Sequence, residues 1–319
     1  MNNLEIVILD SATLGDDVTF SMLERLGNLT VYEKTVPDEV EARIKNADVV
    51  IVNKICLTES NLCTADKLRL VCVTATGYDN VDVAYCKKRG IGVCNVTGYS
   101  SDSVAQVTAA MALSLFNNLS EFDSYVKNGD YTKSGINNCV KPVFCELNKK
   151  VWGIVGLGSI GRRTAEIAKA LGCRVIAYKR TPDTEYDCVS IEELCKSSDI
   201  ISLHLPLTDK TRNLIDEEKI HMMKNNAIVI NVARGAIVDE AALCRAVKNG
   251  SIGGIAVDVY TKEPLSENSP YNAVKDLSNV ILTPHMAWAA YESRMRCLEE
   301  VGMNIDAFFA GVIRNRVDI

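Results

Sequence analysis

Residues 150–180, KVWGIVGLGSIGRRTAEIAKALGCRVIAYKR, read without interruption as strand, glycine turn, helix and second strand. Val151, Gly153, Ile154 and Val155 make a short apolar run suited to a strand buried on both faces. Gly156, Gly158 and Gly161 follow at G-x-G-x-x-G spacing. Ile160, Ala165, Ile167, Ala168 and Leu171 then recur at helical intervals until Gly172 stops the helix, and Arg174–Tyr178 is the next strand. The three glycines have separate mechanical tasks: a tight turn, close approach of backbone to a pyrophosphate, and close packing of helix on strand. N–H groups at the helix start face the dianion. Because strand, helix and second strand stand where the motif needs them, the stretch predicts a dinucleotide site that includes Gly156, Gly158 and Gly161.

The acidic residue that would hold a ribose 2′-hydroxyl belongs at the end of the second strand. The chain has Lys179-Arg180-Thr181 there instead. Two cations and a hydroxyl suit a 2′-phosphate, which points to NADP(H) as well as NAD(H). The same pair also fits solvated residues at a strand end, so both readings stand at this level.

A chain of 319 residues, 47% hydrophobic and 24% charged, is long enough for two domains with separate cores. The net charge of −6 argues against a general nucleic-acid binder and favours a small-molecule partner in a locally basic pocket. No apolar run approaches a membrane span, and the start, MNNLEIVILD, lacks the pattern of a signal peptide. Twelve cysteines form no C-x-x-C pair, and Cys72, Cys94 and Cys173 sit inside apolar strand-like runs. This usage fits reduced, buried thiols in a cytoplasmic protein, and no metal set is expected.

Strand-like runs at Leu4–Leu9, Leu29–Tyr32, Val49–Val52, Leu68–Val73 and Ile91–Asn95 alternate with helical patterns such as Ser21–Leu26 and Val81–Arg89. They predict a small α/β unit ending near Tyr99. Ser100–Leu119 then reads as a helix with an almost wholly apolar face, and Tyr131–Leu147 as a loop. From Val151 onward six strands are expected, the later ones at Ile200–His204, Ala227–Val232, Gly254–Asp258 and Val280–Thr283. The helix Tyr291–Ala310 follows the completed sheet.

In a doubly wound sheet a ligand lies beyond the carboxyl ends of the strands. Three residues stand just past such ends: Arg234 in NVARG, Glu263 in DVYTKEP and His285 in LTPHMAW. A cation to hold a carboxylate, an acid to favour an imidazolium and an imidazole to pass a proton to a carbonyl oxygen form a complementary set. His204, flanked by Leu203, Leu205 and Pro206, and His221, in a charged helix, are read as structural.

With these residues in view, the chain resembles the D-isomer-specific 2-hydroxyacid dehydrogenases over nearly its whole length. The glycine turn, HLPLTDKTRNLI from His204, NVARGAIVDEAAL around Arg234, AVDVYTKEPL and LTPHMAW carry the likeness. The resemblance implies an α/β fold in which a Rossmann-type doubly wound parallel-sheet domain (residues 100–290) is inserted into a smaller flavodoxin-like α/β substrate domain (residues 1–99 plus 291–319). It implies that Arg234 anchors a 2-oxoacid, His285 is the acid/base and Glu263 its partner. It further implies cofactor contacts from Thr76, Ser159, Ile160, Val232, Ala233, Arg234, Asp258, His285 and Trp288. Backbone N–H groups of the turn through Thr74, Ala75, Thr76 and Gly77 would meet the substrate carboxylate. Lys179 departs from the aspartate usual in NAD-using members. ATGYDNVD, VAQ at Val104–Gln106 and PHMAWAA at Pro284–Ala290 are closest to the glycerate dehydrogenase (hydroxypyruvate reductase) branch. The expected reaction is therefore hydroxypyruvate or glyoxylate to D-glycerate or glycolate, in a homodimer. A reductase for a bulkier 2-oxoacid, a non-catalytic NAD(P)H-sensing regulator, and another hydride-transfer enzyme on the same scaffold remain as alternatives.

Overall fold

The computed structural model describes residues 4–181 and 183–319. The chain divides into two compact units, Met1–Ser100 with Trp288–Ile319, and Ser101–Ala287.

The first unit is built on β1 (Leu4–Ile8), β2 (Gly27–Val31), β3 (Val49–Val52), β4 (Leu70–Val73) and β5 (Gly92–Cys94), all parallel in the order β2-β1-β3-β4-β5. This is the flavodoxin-like order. Successive strand side chains point to opposite faces, so a run such as VVIV must meet apolar partners on both sides. Val50, Val52, Val71 and Val73 pack on one side with Val40 and Ile44. Ile6, Ile8, Val49, Ile51, Leu70 and Cys72 face the other side, where the helix Tyr291–Phe309 covers them with Cys297, Leu298, Val301 and Ile305. Leu298, Val301 and Ile305 are almost fully buried, and each such side chain stabilises by roughly 1.5–3 kcal/mol, so the late helix belongs to this sheet.

The second unit carries β6 (Val151–Val155), β7 (Arg174–Tyr178), β8 (Asp187–Cys188), β9 (Ile200–Leu203), β10 (Ile228–Asn231), β11 (Gly254–Val257) and β12 (Val280–Leu282). All are parallel, in the order β12-β11-β10-β9-β6-β7-β8. The order reverses between β6 and β9, which marks the crevice where a doubly wound sheet binds its ligand. Among the described residues one strand more is present than the six expected. Two-residue β8 pairs at the edge with Ile176 and Ala177 and is too short to show a period.

The helix Ser101–Phe116 ends earlier than its apolar pattern, because Asn117 and Asn118 follow and Asn118 takes a left-handed backbone (φ 49). Its Met111, Ala112 and Leu115 enter the core formed by Trp152, Ile154 and Ala165. Past it lie two helices, Leu119–Lys127 and Asp130–Ser134. The second occupies the start of the segment expected as loop. Left-handed Gly129 and Gly135 bound it, and a local Lys127–Asp123 pair at 2.6 Å supports the first. Among the described residues no helix is long and apolar enough to cross a membrane.

Candidate active site

The glycine turn follows β6 at the point where the sheet order reverses. Gly156 has φ 101, a left-handed conformation that a side chain would strain, and a Cβ on Gly161 would stand 2.0 Å from the Gly156 carbonyl oxygen. A Cβ on Gly158 would meet nothing within 4 Å. The space beside it is therefore open toward solvent, as an approaching pyrophosphate requires. The helix Ser159–Ala170 begins at Gly158 with no side chain capping it, which leaves its first N–H groups to an external anion. These residues fit a dinucleotide.

Arg234 follows β10 in a turn held by Asn231, whose buried side chain donates to the Arg234 carbonyl (3.0 Å) and accepts from the Ala233 N–H (3.1 Å). Val232 and Ala233 lie inside this turn. The Arg234 guanidinium donates to the Ala233 carbonyl at 2.7 Å and joins no ion pair among the described residues. A Cβ on Gly235 would come within 2.1 Å of the Tyr260–Thr261 backbone, so the turn after β10 lies directly against the turn after β11. Glu240 reinforces that contact by accepting the Thr261 N–H at 2.8 Å.

Glu263 closes the second of these turns. One carboxylate oxygen accepts the Tyr260 N–H at 3.0 Å, and the other lies 2.7 Å from Nδ1 of His285. Both side chains keep partial access to solvent, 23% for His285 and 33% for Glu263. The imidazole stands on a backbone with φ 53, a conformation uncommon outside glycine and worth noting where it occurs at a site. Asp258, 1% exposed, holds that conformation. Its Oδ1 accepts from the Thr283 hydroxyl (2.6 Å) and the Met286 N–H (2.9 Å), and Oδ2 accepts from the Ala287 N–H (2.9 Å). The Tyr260 hydroxyl adds a bond to the Thr283 carbonyl at 2.9 Å. Asp258 thus has a loop-shaping task that its motif alone does not reveal, and Asn231 and Tyr260 are site residues that pattern reading misses. A polar residue ending an apolar strand is the only trace of Asn231 in the sequence.

His204 is part-buried, with Nε2 3.0 Å from the Ser202 hydroxyl that also accepts from the Trp152 indole at 2.9 Å. Burial pushes its pKa down to about 3, so it stays neutral in a structural role. His221 bonds the Glu217 carbonyl of its own helix at 2.7 Å.

In the first unit the turn after β4 differs from its expected form at Thr74. Its N–H is already committed to the Val52 carbonyl at 2.9 Å and its side chain is buried, so Thr74 has no free N–H to offer a carboxylate. The cause is register: Thr74 extends the β3–β4 pairing by one residue. Ala75, Thr76 and Gly77 lie beyond it. The Thr76 hydroxyl donates to the Val96 carbonyl (2.9 Å) and the Asn95 amide to the Thr76 carbonyl (2.8 Å), which ties the turn down from its far side. Trp288 belongs to this unit and meets Tyr99 edge-on at 6.3 Å between ring centroids.

At the end of β7 the carboxylate absent from the strand itself returns from four residues further on. Asp183 lies 3.0 Å from the Lys179 ammonium and also bonds the Arg162 guanidinium, while Arg180 is exposed.

Residues 109–287 match the family model of the D-isomer specific 2-hydroxyacid dehydrogenase NAD binding domain. Glycerate dehydrogenase of Methylorubrum extorquens is 34% identical, over 98% of this chain and 99% of its own length. Among solved structures, D-lactate dehydrogenase from Aquifex aeolicus complexed with NAD and lactic acid superposes with a TM-score of 0.85 at 32% identity, covering 99% of both chains. An acyclic imino acid reductase in complex with NADPH and D-Arg gives 0.87 at 29% identity, covering 98% of this chain and 100% of the other. Motifs, sheet order and these likenesses agree: the chain belongs to the D-isomer-specific 2-hydroxyacid dehydrogenase family, enzymes that use a nicotinamide cofactor.

Proposed function

We propose that this protein reduces a short 2-oxoacid, hydroxypyruvate or glyoxylate, to the D-2-hydroxyacid. The observation that carries the reading is the 2.7 Å contact between Glu263 and Nδ1 of His285. With Nδ1–H donated to the carboxylate, Nε2 is the nitrogen left to give a proton to a carbonyl oxygen. A nicotinamide held at the glycine turn would supply the hydride for the carbonyl carbon. Arg234, free of ion pairs among the described residues, takes the substrate carboxylate and orients the carbonyl. The short substrate is supported by ATGYDNVD and PHMAWAA and by the likeness to a glycerate dehydrogenase. A panel of glyoxylate, hydroxypyruvate, pyruvate and phenylpyruvate, each with NADH and NADPH, tests it. A higher kcat/KM for pyruvate or phenylpyruvate than for the first two would replace this substrate assignment, and no turnover of any of them would favour a sensor.

Lys179 and Arg180 support use of NADPH at least as well as NADH. A charge-assisted contact to a 2′-phosphate contributes about 1.5–3 kcal/mol before desolvation, against roughly 1 kcal/mol for a neutral hydroxyl bond. Lys179→Asp is expected to move the ratio of kcat/KM values toward NADH. A strong wild-type preference for NADH that Lys179→Asp leaves unmoved would count against the proposal.

A homodimer is proposed from the apolar surface of the segment after the helix Ser101–Phe116. Leu119, Val126, Ile136, Val140, Val143 and Phe144 are all exposed, Val143 at 79%. A patch of this kind on one segment fits a subunit contact. Light scattering at micromolar concentration should give about twice the 34.9 kDa of one chain, and a mass near 34.9 kDa would exclude the dimer.

A further inference from the structure

The cationic strand end after β7 carries its own counter-charge. Asp183 reaches it through a loop, and its side chain is only 6% exposed. Oδ2 accepts from Lys179 Nζ at 3.0 Å and from the Arg162 guanidinium. Oδ1 accepts the Glu185 N–H at 3.1 Å. Arg162 stands on the first turn of the helix that follows the glycine turn, and it also reaches Glu185 at 3.4 Å. Hydrogen bonds from the Glu185 N–H and then from Lys179 hold the Asp183 pKa down to about 2, so the carboxylate is ionised throughout the neutral range. Of the basic residues at this end, Arg180 is exposed and joins no ion pair among the described residues.

The ribose edge of a dinucleotide lies at the end of the second strand. A 2′-phosphate arriving there meets two cations already engaged by one carboxylate, and a negative charge in the same cluster opposes it. We propose that Asp183 is a specificity-determining residue for the cofactor: by holding Lys179 and Arg162 in ion pairs it restrains binding of a 2′-phosphate and leaves Arg180 as the main phosphate contact. This rests on the reading that a 2′-phosphate binds at this strand end.

The test uses the full chain and two fragments of the cofactor, 2′,5′-ADP and 5′-AMP, with affinities from titration calorimetry. Asp183→Asn removes the charge with little change of shape. It should tighten 2′,5′-ADP by about tenfold, the scale of one released charge-assisted contact, without a parallel change for 5′-AMP. Adding Lys179→Met to Asp183→Asn should cancel most of the gain. An unchanged 2′,5′-ADP affinity overturns the proposal, and so does an equal shift for both fragments, which would mean that Asp183 only shapes its loop. The underlying reading is tested apart from this by the wild type: if it binds 2′,5′-ADP no better than 5′-AMP, the preference for NADPH fails, whereas the role of Asp183 is read from the change on mutation.

Discussion

His285→Ala lowers kcat by an expected 10²-fold or more, the usual scale of lost general acid catalysis, with NAD(P)H binding retained. The imidazole is the group beside Glu263 that can deliver a proton as hydride reaches carbon, and alanine leaves nothing to replace it. Because residue 285 has φ 53, His285→Asn makes a useful companion: asparagine tolerates the left-handed backbone, so the loop survives while the proton donor is lost. Steady-state kinetics should show both variants falling alike. Either one within about threefold of wild type would remove His285 from proton transfer.

Arg234→Lys is expected to lower kcat/KM by about 10–10²-fold, with KM raised and kcat reduced together. Lysine keeps the charge and loses the planar fork that can engage a carboxylate and a carbonyl at once. The turn itself should survive, since Asn231 bonds the backbone at 234 and not the side chain. Kinetics on the best 2-oxoacid of the panel decides the matter: lysine performing as well as arginine would mean that charge alone holds the substrate.

Much of this was legible in the sequence because parallel strands are apolar on both faces and so stand out as short apolar runs. Val151–Val155, Ile228–Asn231 and Gly254–Val257 stand out for that reason, and Arg234, Glu263 and His285 follow from asking what lies just past such ends. Features that depend on the chain returning to itself were not legible. Asp183 comes back to Lys179 through residues without periodicity, and Thr74 loses its N–H to a neighbouring strand whose register no local pattern encodes. The buried Asp258 carboxylate was visible as a motif residue, but its bonds to three groups around His285 depend on the left-handed bend at 285, which the sequence PHMAW does not announce.

The helix Tyr291–Phe309 closes a sheet whose last strand ends at Cys94. On the ribosome, Ile6, Ile8, Val49, Ile51, Leu70 and Cys72 therefore emerge long before Leu298, Val301 and Ile305 exist to cover them. At 5–20 residues per second that interval is roughly 10–60 s. The strands of the second unit, by contrast, all lie between residues 151 and 282 and pair with one another there, and the helix Ser101–Phe116 that packs on them is already made. Vectorial synthesis thus reverses the order of completion, with the later-encoded unit finished first. A chain interrupted before residue 291 would present one naked apolar sheet face, a surface suited to chaperones or to aggregation.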